Sequence, residues 1–188
     1  MIDNHEWSNE LFRFGWLETK LADACLSTLA GIADRLRGLG AFELDTIAIF
    51  VEPLLRGLGW ETLDHNQVDR APAGPHADFE LWSDGAIKKR VVVIEVEPLD
   101  ALDRHLREHA YEQVCGYVAN PERPDDVLRL EGEAYVYGAV TNGKSWRVYE
   151  FHGEQQELKC EFDLRDNPDV PTFVDTLGRR QLLRRLNL

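Results

Sequence analysis

The spacing of apolar residues along the chain changes from helical to strand-like. Over the first forty residues, apolar side chains recur at three- and four-residue steps, which predicts a helical arm over 1–40. A second helix is predicted through DTIAIFVEPLLRGLGW. Its N-cap is Asp45 or Thr46, Pro53 bends it, and Gly59 ends it.

Beyond this helix the apolar residues alternate with a period of two, as in strands. A helix over 100–119 interrupts the strands, with Leu102, Leu106, Ala110, Val114 and Tyr117 on one side. This order predicts an α/β (α+β) fold in which helices flank a mixed central sheet, with a core over 41–164 and a C-terminal part over 165–188 in a single domain. The other predicted elements are strands over 60–68, 77–82, 90–97 and 157–163, and a basic amphipathic helix over 172–187.

A strong turn signal lies between two alternating segments, AYVYGAVT and SWRVYEF. Asn142-Gly143 favours a two-residue hairpin turn. The same stretch, Gly138 to Ser145, also satisfies the phosphate-loop pattern GxxxxGK[ST]. A phosphate loop needs a helix that begins at its lysine, whereas aromatic and β-branched residues follow Lys144. We therefore predict a hairpin, and a nucleotide-binding protein would require a helix after Lys144.

The segment VVVIEVEPLD places carboxylates at the end of an apolar strand. Val91 and Val93 share one face with Glu95 and Glu97. Val92, Ile94 and Val96 share the other face, and apolar residues on both faces predict a central strand. A hairpin would bring Asp78 close to Glu95. Three converging carboxylates would suit Mg²⁺ or Mn²⁺. The alternative is that the strand simply runs into solvent and ends at Pro98.

Four short segments stand out by their order and spacing. They are Glu43-Leu44-Asp45-Thr46 followed by VEPLLRGLGW, Asp78-Phe79-Glu80-Leu81 followed by VIEVE, Gln113-x-x-x-Tyr117, and Thr141-Asn142-Gly143 before Trp146. Together they cover roughly residues 41–151 and resemble the PD-(D/E)XK restriction-endonuclease-like family. The resemblance is to the N-terminal nuclease domain of type I restriction enzyme motor subunits.

The resemblance implies a restriction-endonuclease-like fold and phosphodiester hydrolysis assisted by Mg²⁺ or Mn²⁺. Asp78 and Glu95 match the metal ligands, and Glu43 matches the helix acid that can hold a second ion. Gln113 and Tyr117 match the helix motif that contacts DNA or positions the acids. The implied protein is a stand-alone prokaryotic DNA endonuclease linked to restriction or phage defence.

One position departs from the family in a way that affects the chemistry. Glu97 occupies the place of the usual lysine, which orients the attacking water and offsets negative charge. A carboxylate there could bind a second metal ion or act as a base, so Glu97 is kept as a catalytic and metal-binding candidate. The alternative is a catalytically inactive nuclease-fold protein that acts as a nucleic-acid-binding or regulatory subunit. Ala77 also replaces the proline of the motif name.

A second metal pattern, HxxEH, spans His105 to His109. In an inverted zinc-protease motif, two histidines four residues apart bind the metal, but the sequence singles out no third ligand. The alternative is a polar flank beside the apolar side of the helix. His109 also lies one turn before Gln113, so it is a candidate DNA contact in the nuclease cleft.

The net charge of the chain limits the ways in which it could bind DNA. Asp and Glu number 34 against 21 Lys and Arg, for a net charge of −13. Nucleic acid is repelled at long range, so DNA contact requires a local basic patch, a metal ion or a partner subunit. Lys88, Lys89 and Arg90 are candidate DNA contacts together with Tyr117. The basic residues of the last helix, Arg179, Arg180, Arg184 and Arg185, are candidates for DNA or an acidic partner.

Several classes of protein are not expected. No apolar run reaches the roughly 20 residues of a membrane helix, and the N-terminus lacks the features of a secretory signal. Three cysteines without a CxxC pair predict neither disulfides nor a thiolate zinc site, so a cytoplasmic protein is expected. An enzyme that cuts duplex DNA would act as a dimer, and the apolar side of 15–38 is the candidate interface for a homodimer.

Overall fold

Seven strands of the described chain form one mixed sheet. The computed structural model describes residues 46–65, 67–70, 76–84, 86–121, 124–163 and 170–188. The predicted arm over 1–40 and the candidate ligand Glu43 lie outside these ranges. The strands are β1 Val68–Arg70, β2 Phe79–Trp82, β3 Arg90–Val96, β4 Leu128–Leu130, β5 Glu133–Thr141, β6 Ser145–His152 and β7 Gln155–Asp163.

Four helical segments accompany the sheet in the described ranges, besides a 3₁₀ turn at Pro124–Asp126. None of them is both long and apolar enough to cross a membrane. Segment α1 joins a π-helical turn, Ile47–Val51, to an α-helix, Glu52–Gly57, and α2 joins Asp103–His105, the π-helical turn Leu106–Ala110 and Tyr111–Ala119. Helices α3 and α4 are Val170–Leu177 and Arg179–Arg185.

The strand order β1-β2-β3-β5-β6-β7 places β3 inside the sheet, and β4 pairs with one end of β5. Strands β3 and β5 run parallel, whereas the other named pairs are antiparallel. Parallel neighbours need a long crossover, and α2 supplies it. Every residue of β3 is buried, as the two-sided apolar pattern predicted.

Helices cover both faces of the sheet. On one face, α1, α3 and α4 enclose the larger core, in which the Trp60 indole N–H donates to the Leu177 carbonyl oxygen at 2.9 Å. On the other face, Leu106, Ala110 and Val114 of α2 pack against Val93. The expected mixed α/β architecture is therefore confirmed at this level.

Several predicted elements are confirmed. The helix before Gly59 ends there with φ of +89°, a conformation that suits glycine. The hairpin at Asn142-Gly143 joins β5 to β6, although Thr141 pairs with Trp146 and the turn is longer than two residues. Because β6, a strand, follows Lys144, the phosphate-loop interpretation is wrong.

Three predictions of local structure are wrong, and the predicted N-cap is tested at only one of its two residues. Residues 60–65 and 67 lie outside any strand, and within the described part of this segment only Val68–Arg70 pair with β2. Gly178, with ψ of 124°, divides the predicted helix over 172–187 into α3 and α4. Of the two predicted N-caps, Asp45 lies outside the described residues, and Thr46 has helical angles and makes no side-chain cap. Leu102 precedes α2 and is 75% exposed, because the packed side of the helix begins at Leu106.

Candidate active site

The pairing of β2 with β3 fixes the position of Asp78. Phe79 pairs with Ile94, so the preceding residue, Asp78, lies beside the end of β3. The backbone N–H of Val96 donates to Asp78 Oδ2 at 2.7 Å. Asp78 is therefore held beside the strand that carries Glu95, as the sequence predicted.

Glu95 lies in the interior of the sheet, where it pairs with Val140 of the parallel strand β5. Its exposed fraction is only 8%, which is low for a carboxylate. Burial raises the pKa of Tyr117 to about 12, and the negative charges of Glu95 and Asp78 and a hydrogen bond to Glu95 also raise it. The Tyr117 hydroxyl is thus protonated at neutral pH and donates to the Glu95 carboxylate.

Helix α2 presents polar side chains to these acids at four-residue intervals. His105, His109, Gln113 and Tyr117 occupy every fourth position, the spacing at which side chains share a helix face. Tyr117 also forms a hydrogen bond with Gln113, which acts to lower its pKa. Within the described ranges, the buried Oε1 atom of Gln113 has no hydrogen-bond partner.

We call His105, His109, Gln113 and Tyr117 the polar row of α2. Glu97 lies at its His105 end. Its Oε2 atom lies 3.1 Å from His105 Nε2, and the rings of His105 and His109 have centroids 4.8 Å apart. In the described ranges, Glu97, His105 and His109 are the one group of three potential ligands whose atoms lie within 4.8 Å of one another. The structure thus pairs Glu97 with His105 just beyond the end of β3. The convergence of Glu97 with Asp78 and Glu95 stays a prediction.

The HxxEH pattern is met only in part. Its two histidines come together on α2, but Glu108 forms an ion pair of 3.0 Å with Arg104 on the exposed side of the helix. The acid that joins the histidines is Glu97, which precedes them in the chain. Sequence reasoning had assigned Glu97 to the nuclease motif and therefore missed this group.

The first predicted basic cluster lies away from the acids. Arg90 begins β3, five residues before Glu95, which corresponds to about 16 Å along a strand. Its guanidinium is buried and donates to Glu80 at 2.7 Å and to the Tyr117 carbonyl oxygen at 3.2 Å. Arg90 is therefore buried in a structural ion pair, and its predicted contact with DNA gains no support from this position. Lys88 and Lys89 are half-buried at the same end of the strand, where Lys89 Nζ donates to a backbone carbonyl.

Arg179 and Arg185 of α4 lie on the face of the sheet opposite α2. Arg179 pairs with Asp84 and lies 5.8 Å above the Trp60 ring. Arg185 Nη1 donates to the Tyr137 hydroxyl at 3.1 Å. These two side chains thus anchor α4 to the sheet, and any binding surface formed by this helix is separate from the acids.

Sequence reasoning also missed Arg147, which is buried on β6. Across the sheet, Glu95 of β3 pairs with Val140 of β5, and Val140 pairs in turn with Arg147. Its guanidinium forms ion pairs with Glu161 on β7 and, at 3.1 Å, with Asp103 at the start of α2. Arg147 therefore positions the helix that carries the polar row. The alternating pattern around Arg147 predicted a strand, but it could not predict the ion pair with Asp103.

The polar residues of α2, together with Asp78 and Glu95, form a candidate site, but they do not show which family the chain belongs to. Comparison of the chain with protein-family models, curated proteins and solved structures gives no match. What the site can do is therefore argued from its own residues.

Proposed function

We propose that this protein is a Mg²⁺- or Mn²⁺-dependent DNA endonuclease with a restriction-endonuclease-like core. The observation that carries the proposal is that Asp78, just before β2, and Glu95, on the adjacent strand β3, both lie near Tyr117 of the crossover helix, which is hydrogen-bonded to Gln113. These residues are dispersed over forty positions of the chain. They are also the residues that the family resemblance assigns to the site.

The donor atoms of the site fit a hard divalent cation. Asp78, Glu95 and Gln113 all offer oxygen, which is the donor that Mg²⁺ and Mn²⁺ prefer. A buried carboxylate is costly to desolvate, and a cation beside it offsets this cost. The buried Oε1 atom of Gln113, which has no partner among the described residues, is a further oxygen available for such a role.

The residues around the acids hold them in place. The Val96 N–H fixes one oxygen of Asp78, and the Tyr117 hydroxyl donates to Glu95. When bound, the metal lowers the pKa of its water and offsets the charge that develops on the phosphate. The acidic charge of the chain repels DNA, and added salt screens this repulsion while it weakens any contact between basic residues and phosphates.

A second candidate function follows from Glu97. Where the family has a lysine, this chain has a carboxylate that pairs with His105. Loss of that lysine is also compatible with a nuclease fold that binds DNA or a partner without cutting. The two functions differ in whether metal-dependent cleavage accompanies DNA binding.

A plasmid-nicking assay tests the proposal. Supercoiled DNA would be incubated with the full chain in Mg²⁺ or Mn²⁺, alongside Asp78→Asn, Glu95→Gln and the control Glu154→Gln. Glu154 is an exposed acid in the turn between β6 and β7. Nicking by wild type and control that is lost in both site variants is the expected result.

Two other outcomes contradict the endonuclease. Equal nicking by the site variants would show that the activity comes from elsewhere. Absence of nicking by a folded wild-type chain in both metals, over a range of salt concentrations, would favour the non-cutting function. Fluorescence anisotropy with labelled DNA would then measure whether binding remains.

A further inference from the structure

We propose that Glu97, His105 and His109 form a Zn²⁺ site with three protein ligands and an open coordination position. The site is distinct from the paired acids Asp78 and Glu95, and the proposal does not rest on the nuclease function. It concerns one end of the polar row on α2, where the described residues bring two imidazoles and a carboxylate together.

The geometry of the three side chains is close to that of a metal site. Tetrahedral Zn²⁺ with bonds of about 2.0–2.1 Å places its ligand atoms about 3.3 Å apart. His105 Nε2 and Glu97 Oε2 are 3.1 Å apart, and no two ligand atoms of the group are more than 4.8 Å apart. His109 is exposed, so its side chain has room to rotate toward the other two ligands.

Backbone contacts hold the ligands in place. The Glu97 N–H donates to the Thr141 carbonyl oxygen at 2.7 Å, which fixes the residue just beyond β3. The following loop is held by a 3.0 Å hydrogen bond from Asn142 Nδ2 to the Ala101 carbonyl oxygen. Both histidines lie on α2 at a four-residue spacing, which places them on one face of the helix. Ligands held in this way lose little freedom when a metal binds.

The ligand types select a transition metal rather than Mg²⁺. Imidazole nitrogen suits Zn²⁺, Cu²⁺ and Ni²⁺, whereas Mg²⁺ and Ca²⁺ prefer oxygen ligands alone. Two histidines and one acid also form the ligand set of known catalytic zinc sites. Asp78, Glu95 and Gln113, in contrast, offer oxygen donors, which Mg²⁺ prefers. The two ends of the polar row therefore differ in the metals that they should bind.

The surroundings leave one coordination position open. The side chain of Glu97 is 12% exposed and that of His105 is 45% exposed, so the ligands line a surface opening. The opening is a cavity of about 460 Å³, lined also by Pro98, Leu102 and Glu108. Three protein ligands facing such a cavity leave the fourth position to water or another small ligand, as in catalytic zinc sites.

Metal titration of the full chain tests the site. The affinity for Zn²⁺ would be measured by competition with a chromophoric chelator, and Co²⁺ would be added as a spectroscopic probe. We expect one Zn²⁺ per chain and the visible absorption bands of four-coordinate Co²⁺. Because each ligand supplies a metal bond, His105→Ala, His109→Ala and Glu97→Gln should each weaken binding by about 10-fold or more.

Three controls make the result specific. His65→Ala removes an exposed histidine outside the group and should leave the affinity unchanged. Asp78→Asn and Glu95→Gln should also leave it unchanged, which separates this site from the proposed nuclease site. Circular dichroism would confirm that each variant folds. Both histidines are exposed, so their removal should not disturb the core.

Clear outcomes would overturn the proposal. They are a chain that binds no Zn²⁺, binding that survives removal of both histidines, or binding that Asp78→Asn weakens as much as His105→Ala does. Nicking of plasmid DNA has no bearing on these results. The metal titration therefore tests the zinc site, and plasmid nicking tests the nuclease, so that either proposal can fail without the other.

Discussion

Asp78 Oδ2 accepts a 2.7 Å hydrogen bond from the backbone N–H of Val96. One carboxylate of the proposed nuclease site thus also stabilises the pairing of β2 with β3. Val96 is almost fully buried, so its N–H has no access to water if the acceptor is lost. A change at Asp78 can therefore reduce activity in two ways, through metal binding and through the fold.

The two roles of Asp78 can be separated by the choice of substitution. Asp78→Ala leaves the Val96 N–H without its acceptor and should lower the free energy of unfolding by about 1–3 kcal/mol. Asp78→Asn keeps an oxygen acceptor and should cost less. Urea unfolding of both variants tests this. Equal losses would show that the hydrogen bond contributes little.

Tyr117→Phe should weaken the fold at neutral pH but less so in alkali. The substitution removes a hydrogen bond to a carboxylate, which is expected to cost about 1–2 kcal/mol near pH 7. The pKa of Tyr117 is about 12 in the folded chain and 10 in the unfolded chain. The unfolded chain therefore binds fewer protons between pH 10 and 12, and this contribution to stability, complete below pH 10, falls as the pH rises.

The measurement is the difference in free energy of unfolding between wild type and Tyr117→Phe, followed from pH 8 to pH 11. Other titrating groups are common to both chains and cancel. The difference should narrow above pH 10. A difference that stays constant would contradict the raised pKa of Tyr117, to which burial and the Glu95 carboxylate both contribute.

Gly138→Ala should disturb the packing of α2 on the sheet. A Cβ atom at Gly138 would lie 2.5 Å from Val114 Cγ1 and 2.7 Å from Phe151 Cε2, distances that require the helix or the ring to move. Overpacking of this kind is expected to cost about 1–3 kcal/mol. Because Gln113 precedes Val114, the same change should reduce nicking.

Gly116→Ala is the matched control on α2. A Cβ atom there meets nothing within 4 Å, and alanine favours a helix by about 0.5–1 kcal/mol over glycine. Thermal unfolding should show a lower midpoint for Gly138→Ala and an equal or higher one for Gly116→Ala. A neutral effect of Gly138→Ala would mean that the contact with Val114 relaxes at no cost.

The β5–β6 turn should tolerate alanine less well than the β4–β5 turn. Gly143 and Gly132 have similar positive φ angles, 83° and 90°. A Cβ atom at Gly143 would lie 2.9 Å from Phe50 Cβ and from Thr46 Cγ2, whereas one at Gly132 meets nothing within 4 Å. Both alanine variants carry backbone strain of about 1 kcal/mol, and the overlap should cost Gly143→Ala about 1–3 kcal/mol more.

Urea unfolding of these two variants measures the difference. Since the backbone strain is nearly the same in both, a larger loss for Gly143→Ala reports the contact of the turn with α1. Similar losses would mean that α1 can move away from the turn.

The polar pattern of α2 shows what the sequence could predict about the site. The sequence shows the four-residue spacing of His105, His109, Gln113 and Tyr117. It also shows the alternation that predicts Glu95 and Glu97 on one face of a strand. The approach of Asp78 to β3 followed from the predicted hairpin. Which acid meets which part of the helix could not be predicted, because it depends on how α2 crosses the sheet.

The sequence by itself determined the elements whose cause is local. The two-sided apolar run determined that β3 is central, Asn142-Gly143 determined a hairpin, and Gly59 determined the end of α1, since each depends on a few consecutive residues. Only the tertiary structure decided the partners of the charged side chains. It buried Arg90 against Glu80, paired Glu97 with His105, and tied Arg147 to the start of α2. These contacts join distant segments, and their geometry depends on strand order and helix placement, which no local pattern encodes.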